Sequence, residues 1–208
     1  MKKGVLVFDF DGTIADSKKV YIETIHHSLL EHSFIFPKGH VARALGPKLE
    51  QTLLNLKKFS PRTLKSLKDQ INKDVTKKAR KLKLCAHAKD TLKRLKQEGY
   101  RIILLTNSAR RFIITFLKHN KMMNYFDKLY YAENFRTKEE AIRKIAKNYN
   151  TKVKDVTYIA DKIKDVKIAR NAGCRIIIVL ACSWDKGKFH GERYTVNSMN
   201  QLEAAPSQ

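Results

Sequence analysis

Two aspartates stand one residue apart at the end of an apolar stretch near the amino terminus. Residues 7–16 read VFDFDGTIAD, in which Phe10 separates Asp9 from Asp11 and Gly12 follows. Like charges at this spacing disfavour the ionised form of both groups unless a cation offsets them. Clustered carboxylate oxygens are the ligands that hard cations prefer, Mg²⁺ before Ca²⁺. The spacing therefore predicts a carboxylate crevice with a bound Mg²⁺.

Other polar side chains follow later apolar runs. Thr106 and Asn107 come after the run RIILL, Asp161 comes after VTYIA, and Asp165 stands four residues beyond Asp161. The carboxyl ends of parallel strands meet at one edge of a sheet, so we expect these side chains to share one crevice. Lys138 begins a helical pattern after a short third strand and is placed to reach a phosphate there.

The elements that must position these residues alternate along the chain. Continuous apolar runs rich in Ile, Val and Leu indicate strands that are covered on both faces. The predicted strands are 4–10, 101–106, 128–131, 156–160 and 175–180, and the helical patterns between them are 88–98, 109–119, 138–148 and 166–172. This alternation predicts an α/β fold with a doubly wound, Rossmann-like parallel sheet.

One long stretch after the first strand breaks the alternation. It contains helical patterns at 17–32, 47–58 and 61–84 and no convincing strand. We interpret residues 16–84 as a helical domain inserted over the carboxyl ends of the strands, and residues 1–15 and 85–208 as the α/β core.

The chain is strongly basic. It has 43 Lys and Arg against 20 Asp and Glu, a net charge of +23, and residues 57–96 hold 15 basic side chains and three acidic ones. Such a surface attracts anions in general. A nucleic-acid partner is one hypothesis, but Phe59 is the single aromatic residue in that stretch, so base stacking there is not favoured.

The cysteines and the hydropathy of the chain indicate in which cellular compartment the protein is found. Cys85, Cys174 and Cys182 fit neither a metal-binding spacing nor a disulfide framework, which predicts buried thiols in a reducing environment. No apolar run approaches the ~18 residues of a membrane span, and the first run is too short for a signal peptide. We expect a cytoplasmic protein that does not contact the membrane.

These motifs carry a family resemblance. FDFDGTIADS, LLTNSA, FRTKEEAI and IADKIKDVKIARNAG occur in the order of the four motifs of the haloacid dehalogenase superfamily. The chain resembles the phosphoglycolate phosphatase-like hydrolases of that superfamily over nearly its whole length. The helical insertion is similar in position and size to their cap domain, and the loop of residues 43–47 (RALGP) resembles a cap loop that reaches the active site.

The resemblance implies a role for each motif residue. Asp9 would be the nucleophile that forms an aspartyl-phosphate, and Asp11 the acid and then the base. Thr106 and Lys138 would assist at the phosphoryl group. The implied substrate-binding residues are Asn107, Gly12 and Arg43, and the implied Mg²⁺ site consists of Asp9, Asp11 through its backbone carbonyl, Asp161 and Asp165. The implied partner is a small phosphorylated metabolite.

Asp11 favours phosphoester chemistry over dehalogenation, because a halide leaving group needs no acid. A phosphomutase, a phosphatase of nucleotides or polynucleotide ends, and a non-catalytic nucleic-acid-binding protein on the same fold stay open as alternatives. The sequence departs from the family pattern at Ala160, where the family usually has Gly. We expect Lys162 to point to solvent and Trp184 to pack in the core.

Overall fold

The computed structural model describes residues 4–46, 48–189 and 194–202 and contains one six-stranded sheet. Every pair of neighbouring strands is parallel, and their order across the sheet is β3-β2-β1-β4-β5-β6. The chain runs outward in both directions from the centre, so the order reverses between β1 and β4. The strands are β1 (Val5–Phe8), β2 (Arg101–Leu105), β3 (Lys128–Tyr130), β4 (Val156–Ala160), β5 (Arg175–Val179) and β6 (Thr195–Val196). The predicted α/β doubly wound fold is confirmed.

The described residues also contain eight α-helices. They are α1 (Lys18–Glu31), α2 (Lys38–Ala44), α3 (Leu49–Leu56), α4 (Pro61–Lys78), α5 (Ala88–Gln97), α6 (Arg110–His119), α7 (Lys138–Asn148) and α8 (Ile163–Ala172). Sequence reasoning missed α2 and β6, because seven and two residues are too short to show a period. None of the helices in the described ranges is both long and apolar enough to cross a membrane.

The two faces of the sheet belong to two apolar clusters. Leu6 and Phe8 of β1 point to one side and Val5 and Val7 to the other, as the period of two in a strand requires. The first cluster joins that face to α1, α4, α5 and α6, whereas the second joins the opposite face to α7 and α8. The central strands are thus buried on both sides, which explains their continuous apolar sequences.

Helices α1 to α4 lie between β1 and α5 in the chain and pack against one another. Where the chain enters and leaves this helical segment, Ala15 and Leu84 form an antiparallel bridge, and the Cys85 N–H donates to the Ile14 carbonyl at 2.9 Å. Entry and exit are therefore side by side near the end of β1. The division into a core (1–15 and 85–208) and a cap (16–84) stays a prediction, and Pro47 of the predicted cap loop lies outside the described residues.

The expectation about the cysteines is wrong for two of them. Cys85 and Cys182 form a disulfide with a Cα–Cα distance of 5.7 Å, although 97 residues separate them in the sequence, and Cys174 is a free thiol. Sequence spacing could not reveal this pair, because the fold alone brings the segment after Leu84 beside the loop after β5. The bond ties the exit of the helical segment to that loop.

The disulfide gives a direct prediction from thiol counting. Alkylation of the unfolded, non-reduced protein should label Cys174 alone, and labelling after reduction should modify all three cysteines. Because a cross-link over a long loop restricts the unfolded chain, reduction should also lower the free energy of unfolding by about 2–4 kcal/mol. The Cys174→Ser variant is the control, and three labelled cysteines without reductant would contradict the bond.

Candidate active site

The polar residues predicted from the motifs gather at the carboxyl edge of the sheet. Asp9 follows β1, Thr106 follows β2 and Asp161 follows β4, and these three strands are neighbours in the order β2-β1-β4. The position is the point at which the strand order reverses, where open α/β sheets form a crevice for ligands. These residues are spread over more than half of the chain in sequence, and the parallel sheet brings them together in space.

Asp9 is held as a buried carboxylate. Its Oδ1 accepts the Phe10 N–H at 2.8 Å, and its Oδ2 lies 2.8 Å from the Lys138 Nζ. Burial would raise the pKa of Asp9, but the nearby ammonium charges of Lys138 and Lys162 outweigh burial and lower that pKa. These contacts therefore favour the ionised form of Asp9.

Lys138 is the first residue of α7, whose amino terminus is capped by the Thr137 side chain. The lysine is only 5 % exposed and donates a 2.6 Å hydrogen bond to the Tyr158 hydroxyl. Burial alone would lower its pKa, but Asp9 and Asp165 raise it, so the ammonium stays charged. The structure thus brings Lys138 to the crevice, as the third motif predicts.

Asp11 has a different environment from Asp9. The hydroxyls of Ser17 and Ser108 donate to its two carboxylate oxygens, and Tyr21 shares a 2.9 Å hydrogen bond with Ser108. Burial raises the pKa of Asp11 against the opposing effect of the two serine hydroxyls. The first motif thus contains one carboxylate biased toward the ionised form and one biased toward the protonated form.

Gly12 permits the close approach of two loops. Its φ is +83°, and a Cβ at this position would collide with the Asp161 carboxylate and lie 2.8 Å from the Trp184 Cδ1 atom. Only glycine satisfies both the left-handed backbone and the lack of space. Gly12 therefore acts through packing against Asp161, while its predicted contact with substrate stays a prediction.

Asp9, Asp161 and Asp165 form a buried carboxylate cluster. One oxygen from each lies within 4.8 Å of the others, and among the residues that the structure describes Asp161 Oδ1 is buried without a hydrogen-bond partner. Burial raises the pKa of Asp161 well above its usual range, against the opposing charge of Lys162. A hard cation would satisfy the unpaired oxygen and offset the charge, so these residues fit Mg²⁺.

The other predicted site residues divide into two groups. Asn107 lines the crevice, whereas Thr106 is buried and its Oγ1 accepts the Ser108 N–H at 3.0 Å. The Asp11 carboxylate is not part of the carboxylate cluster, and its backbone carbonyl as a metal ligand stays a prediction. The contacts of Thr106 and Asn107 with a phosphoryl group also stay predictions.

The crevice is a small pocket between the sheet edge and the helical segment. Its volume is about 60 Å³, and it is lined by Asp9, Asp11, Tyr21, Ile25, Leu45, Gly46, Lys48, Leu49, Thr52, Asn72, Asn107, Ser108, Ala109, Lys138, Lys162, Lys164 and Trp184. Helices α1, α3 and α4 therefore close over the carboxylates.

A comparison with protein families decides the assignment. The model of one family, described as haloacid dehalogenase-like hydrolase, matches residues 6–179 of this chain. The chain belongs to the haloacid dehalogenase-like hydrolases. The family predicted from the four motifs is thus confirmed, and with it the prediction of a hydrolase.

Individual relatives of this haloacid dehalogenase-like hydrolase agree. The pyrophosphatase PpaX of Bacillus cereus (strain ATCC 10987 / NRS 248) is 24 % identical over 206 residues, covering 96 % of this chain and 92 % of PpaX. A predicted phosphatase from Clostridium acetobutylicum has a TM-score of 0.80 and 25 % identity, with 97 % of each chain covered. A predicted phosphoglycolate phosphatase from Haemophilus somnus shares the fold, with a TM-score of 0.81, 15 % identity and 96 % of each chain covered.

This haloacid dehalogenase-like hydrolase differs from the sequence expectations at Lys162 and Trp184. Lys162 is only 9 % exposed and lines the pocket, so its expected position in solvent is wrong. Its Nζ lies 3.6 Å from the centre of the Trp184 ring, and Trp184 is half-buried in the pocket wall and not packed in the core. The amphipathic pattern of α8 could not show this, because Lys162 precedes the helix.

The residues of the helical segment that line the pocket differ from those that the sequence predicts. Arg43, in the last turn of α2, is exposed and does not line the pocket in the described residues, whereas Leu45, Gly46 and Lys48 do. Sequence reasoning also missed Ser17 and Ser108 as partners of Asp11. Ser108 belongs to the second motif and could have been found, but Lys48 has no local signal.

Proposed function

We propose that this protein is a Mg²⁺-dependent phosphatase that hydrolyses a phosphate monoester through an aspartyl-phosphate on Asp9. The observation that carries the proposal is the contrast between the surroundings of the two aspartates. Asp9 lies 2.8 Å from the Lys138 Nζ, which lowers its pKa against the effect of burial. The Asp11 carboxyl group is instead held by two serine hydroxyls, and burial raises its pKa. Two carboxylates in one crevice whose pKa values are pushed apart are suited to act as nucleophile and acid.

In the first step, a carboxylate oxygen of Asp9 attacks phosphorus and the bond from phosphorus to the ester oxygen breaks. Protonated Asp11 donates its proton to that ester oxygen, which leaves as an alcohol. The hydrogen bonds from Ser17 and Ser108 hold the Asp11 carboxyl group in a fixed orientation. Lys138 beside Asp9 offsets the negative charge that the approaching phosphoryl group brings.

In the second step, water attacks the phosphorus atom of the aspartyl-phosphate. Asp11, now ionised, accepts a proton from that water, and the bond from phosphorus to the Asp9 oxygen breaks. The products are phosphate and the original Asp9 carboxylate, and Asp11 has regained its proton. One residue thus serves as acid in the first step and as base in the second.

Asp9 and Asp161 would hold Mg²⁺, and Asp165 would order the site around it. Asp165 accepts hydrogen bonds from the Tyr158 hydroxyl at 3.0 Å and from the Lys162 N–H at 3.1 Å, so its orientation is fixed. When bound, the ion supplies positive charge that draws electron density from the phosphoryl oxygens.

Metal binding gives a prediction that does not depend on turnover. Mg²⁺ at about 100 times its Kd should raise the melting temperature by about 5–10 °C. The Asp161→Asn variant should lose most of this increase, because one buried anionic ligand is removed. The exposed Asp16 supplies the control, and Asp16→Asn should keep the full increase. Equal increases in all three proteins would contradict a Mg²⁺ site at Asp161.

The experiment that tests the function is hydrolysis of para-nitrophenyl phosphate by purified protein. We expect Mg²⁺-dependent release of phosphate, which EDTA lowers and added Mg²⁺ restores. The names of the relatives, a pyrophosphatase and a predicted phosphoglycolate phosphatase, support a small phosphorylated substrate. Turnover that is absent, or unchanged by EDTA, would contradict the proposal.

The enclosed position of the crevice supports a small metabolite over a nucleic acid. Helices α1, α3 and α4 close over Asp9, and the pocket between them and the sheet edge has a volume of about 60 Å³.

A further inference from the structure

Most of the lysines that line the pocket form no ion pair within the described residues. Four lysines line it, from three parts of the fold: Lys48, Lys138, Lys162 and Lys164. Lys138 is paired with Asp9 at 2.8 Å. In the described ranges, none of the other three has a carboxylate oxygen within 4.0 Å. Three ammonium groups therefore face the pocket without an ion pair.

The contacts of Lys48 and Lys162 are with neutral groups. Lys48 Nζ lies 3.3 Å from the Phe135 carbonyl, and Lys162 Nζ lies over the Trp184 ring. A cation on an aromatic face is stabilised but keeps its charge and its hydrogen-bond donors. Both lysines can therefore still bind an anion.

Trp184 is itself fixed in place and has an unused donor. Its backbone N–H donates to Asp161 Oδ2 at 3.0 Å, and its carbonyl accepts a 2.9 Å hydrogen bond from Lys18. Its indole Nε1–H is buried without a hydrogen-bond partner in the described part of the chain. The residue whose ring lies under Lys162 is thus hydrogen-bonded to Asp161, a member of the carboxylate cluster.

Lys138 lies beside Asp9 and so faces the reacting phosphoryl group. Asp161 and Asp165 attract Lys162 from a distance, but in the described residues neither carboxylate lies within 4.0 Å of the Lys162 or Lys48 ammonium group. The hydrogen-bond donors of these two lysines are therefore left for a second anionic group of the substrate.

We propose that Lys162, held on the face of Trp184, is a specificity-determining residue that selects small phosphate compounds with a second anionic group. The inference rests on the proposed function, because it concerns the same pocket. The second group is a carboxylate or a second phosphate, and either can accept hydrogen bonds from an ammonium.

The test compares Lys162→Met with the unmodified protein on three substrates. Pyrophosphate and phosphoglycolate carry a second anionic group, whereas para-nitrophenyl phosphate does not. We expect kcat/KM for at least one of the first two to fall about 10- to 100-fold, mainly through KM. The loss for para-nitrophenyl phosphate should be about tenfold smaller, because it reflects only the effect of Lys162 on Asp9. The substrate that shows the loss identifies whether the second group is a phosphate or a carboxylate.

Two further variants separate recognition from structure. Lys162→Arg should restore much of the loss, because a guanidinium also stacks on an aromatic ring and binds an anion. Lys144→Met removes an exposed lysine on α7 and should leave all three substrates unaffected. Equal losses on all three substrates, or no loss on any, would overturn the role of Lys162 and leave the phosphatase proposal intact. Absence of turnover of every substrate by the unmodified protein would instead overturn the phosphatase proposal.

Discussion

Asp9→Asn is expected to lower kcat for para-nitrophenyl phosphate by at least about 10³-fold, because a neutral amide oxygen is a far weaker nucleophile than a carboxylate. The substitution keeps the size of the side chain and an oxygen that can accept the Phe10 N–H. It removes the charge that pairs with Lys138. The measurement is steady-state release of phosphate at saturating Mg²⁺.

The control and a second measurement separate loss of the nucleophile from loss of the fold. Asp16→Asn changes an exposed carboxylate in the same loop and should keep normal turnover. Acid quenching with radiolabelled substrate should trap label on the unmodified protein and none on Asp9→Asn. Retention of more than roughly a tenth of the rate by Asp9→Asn would exclude Asp9 as the nucleophile.

The sequence predicts the fold and much of the crevice because both depend on local patterns. Apolar runs that end in Asp9, Thr106 and Asp161 indicate buried parallel strands, and parallel strands place their carboxyl ends together. The structure then places Lys138 against Asp9, which the third motif implies. What the motifs specify is a backbone position at a strand or helix end, and that position decides where each side chain points.

The features that sequence reasoning missed depend on contacts between distant segments. The Cys85–Cys182 disulfide and the Lys162–Trp184 contact each join residues that the chain separates widely, so no period or spacing reveals them. The loop after β5 takes part in both, since it carries Cys182 and Trp184. The sequence of such a loop has no periodic pattern, and the loop takes its conformation from the parts of the protein that it packs against.

The helical segment was also harder to predict than the sheet. Arg43 belongs to a loop-like sequence that resembles a cap loop, but the last turn of α2 leaves it exposed and Lys48 reaches the pocket instead. Neighbouring residues at a helix end point in different directions. If the end of the helix is predicted a few residues from its true position, a residue that faces solvent is therefore taken for one that lines the pocket.

Asp11→Asn should separate substrates by their leaving groups. General acid catalysis typically contributes about 10²–10⁴-fold, so hydrolysis of an alkyl phosphate should slow by that order. An aryl phosphate with an acidic phenol needs little protonation of the leaving oxygen, so its loss should be clearly smaller. The substituted amide can accept one serine hydroxyl and donate to the other, which preserves the contacts with Ser17 and Ser108.

The decisive measurement is therefore the dependence of kcat/KM on the pKa of the leaving alcohol, for Asp11→Asn and the unmodified protein in parallel. The variant should show a steeper dependence, because the leaving oxygen must then carry its own developing charge. Ser108→Ala supplies a comparison that disturbs the orientation of Asp11 and keeps its proton, so it should lower the rate with little change in slope. An equal loss for alkyl and aryl phosphates in Asp11→Asn would exclude proton donation, and it would assign Asp11 a role in holding the loop of residues 9–17 in place.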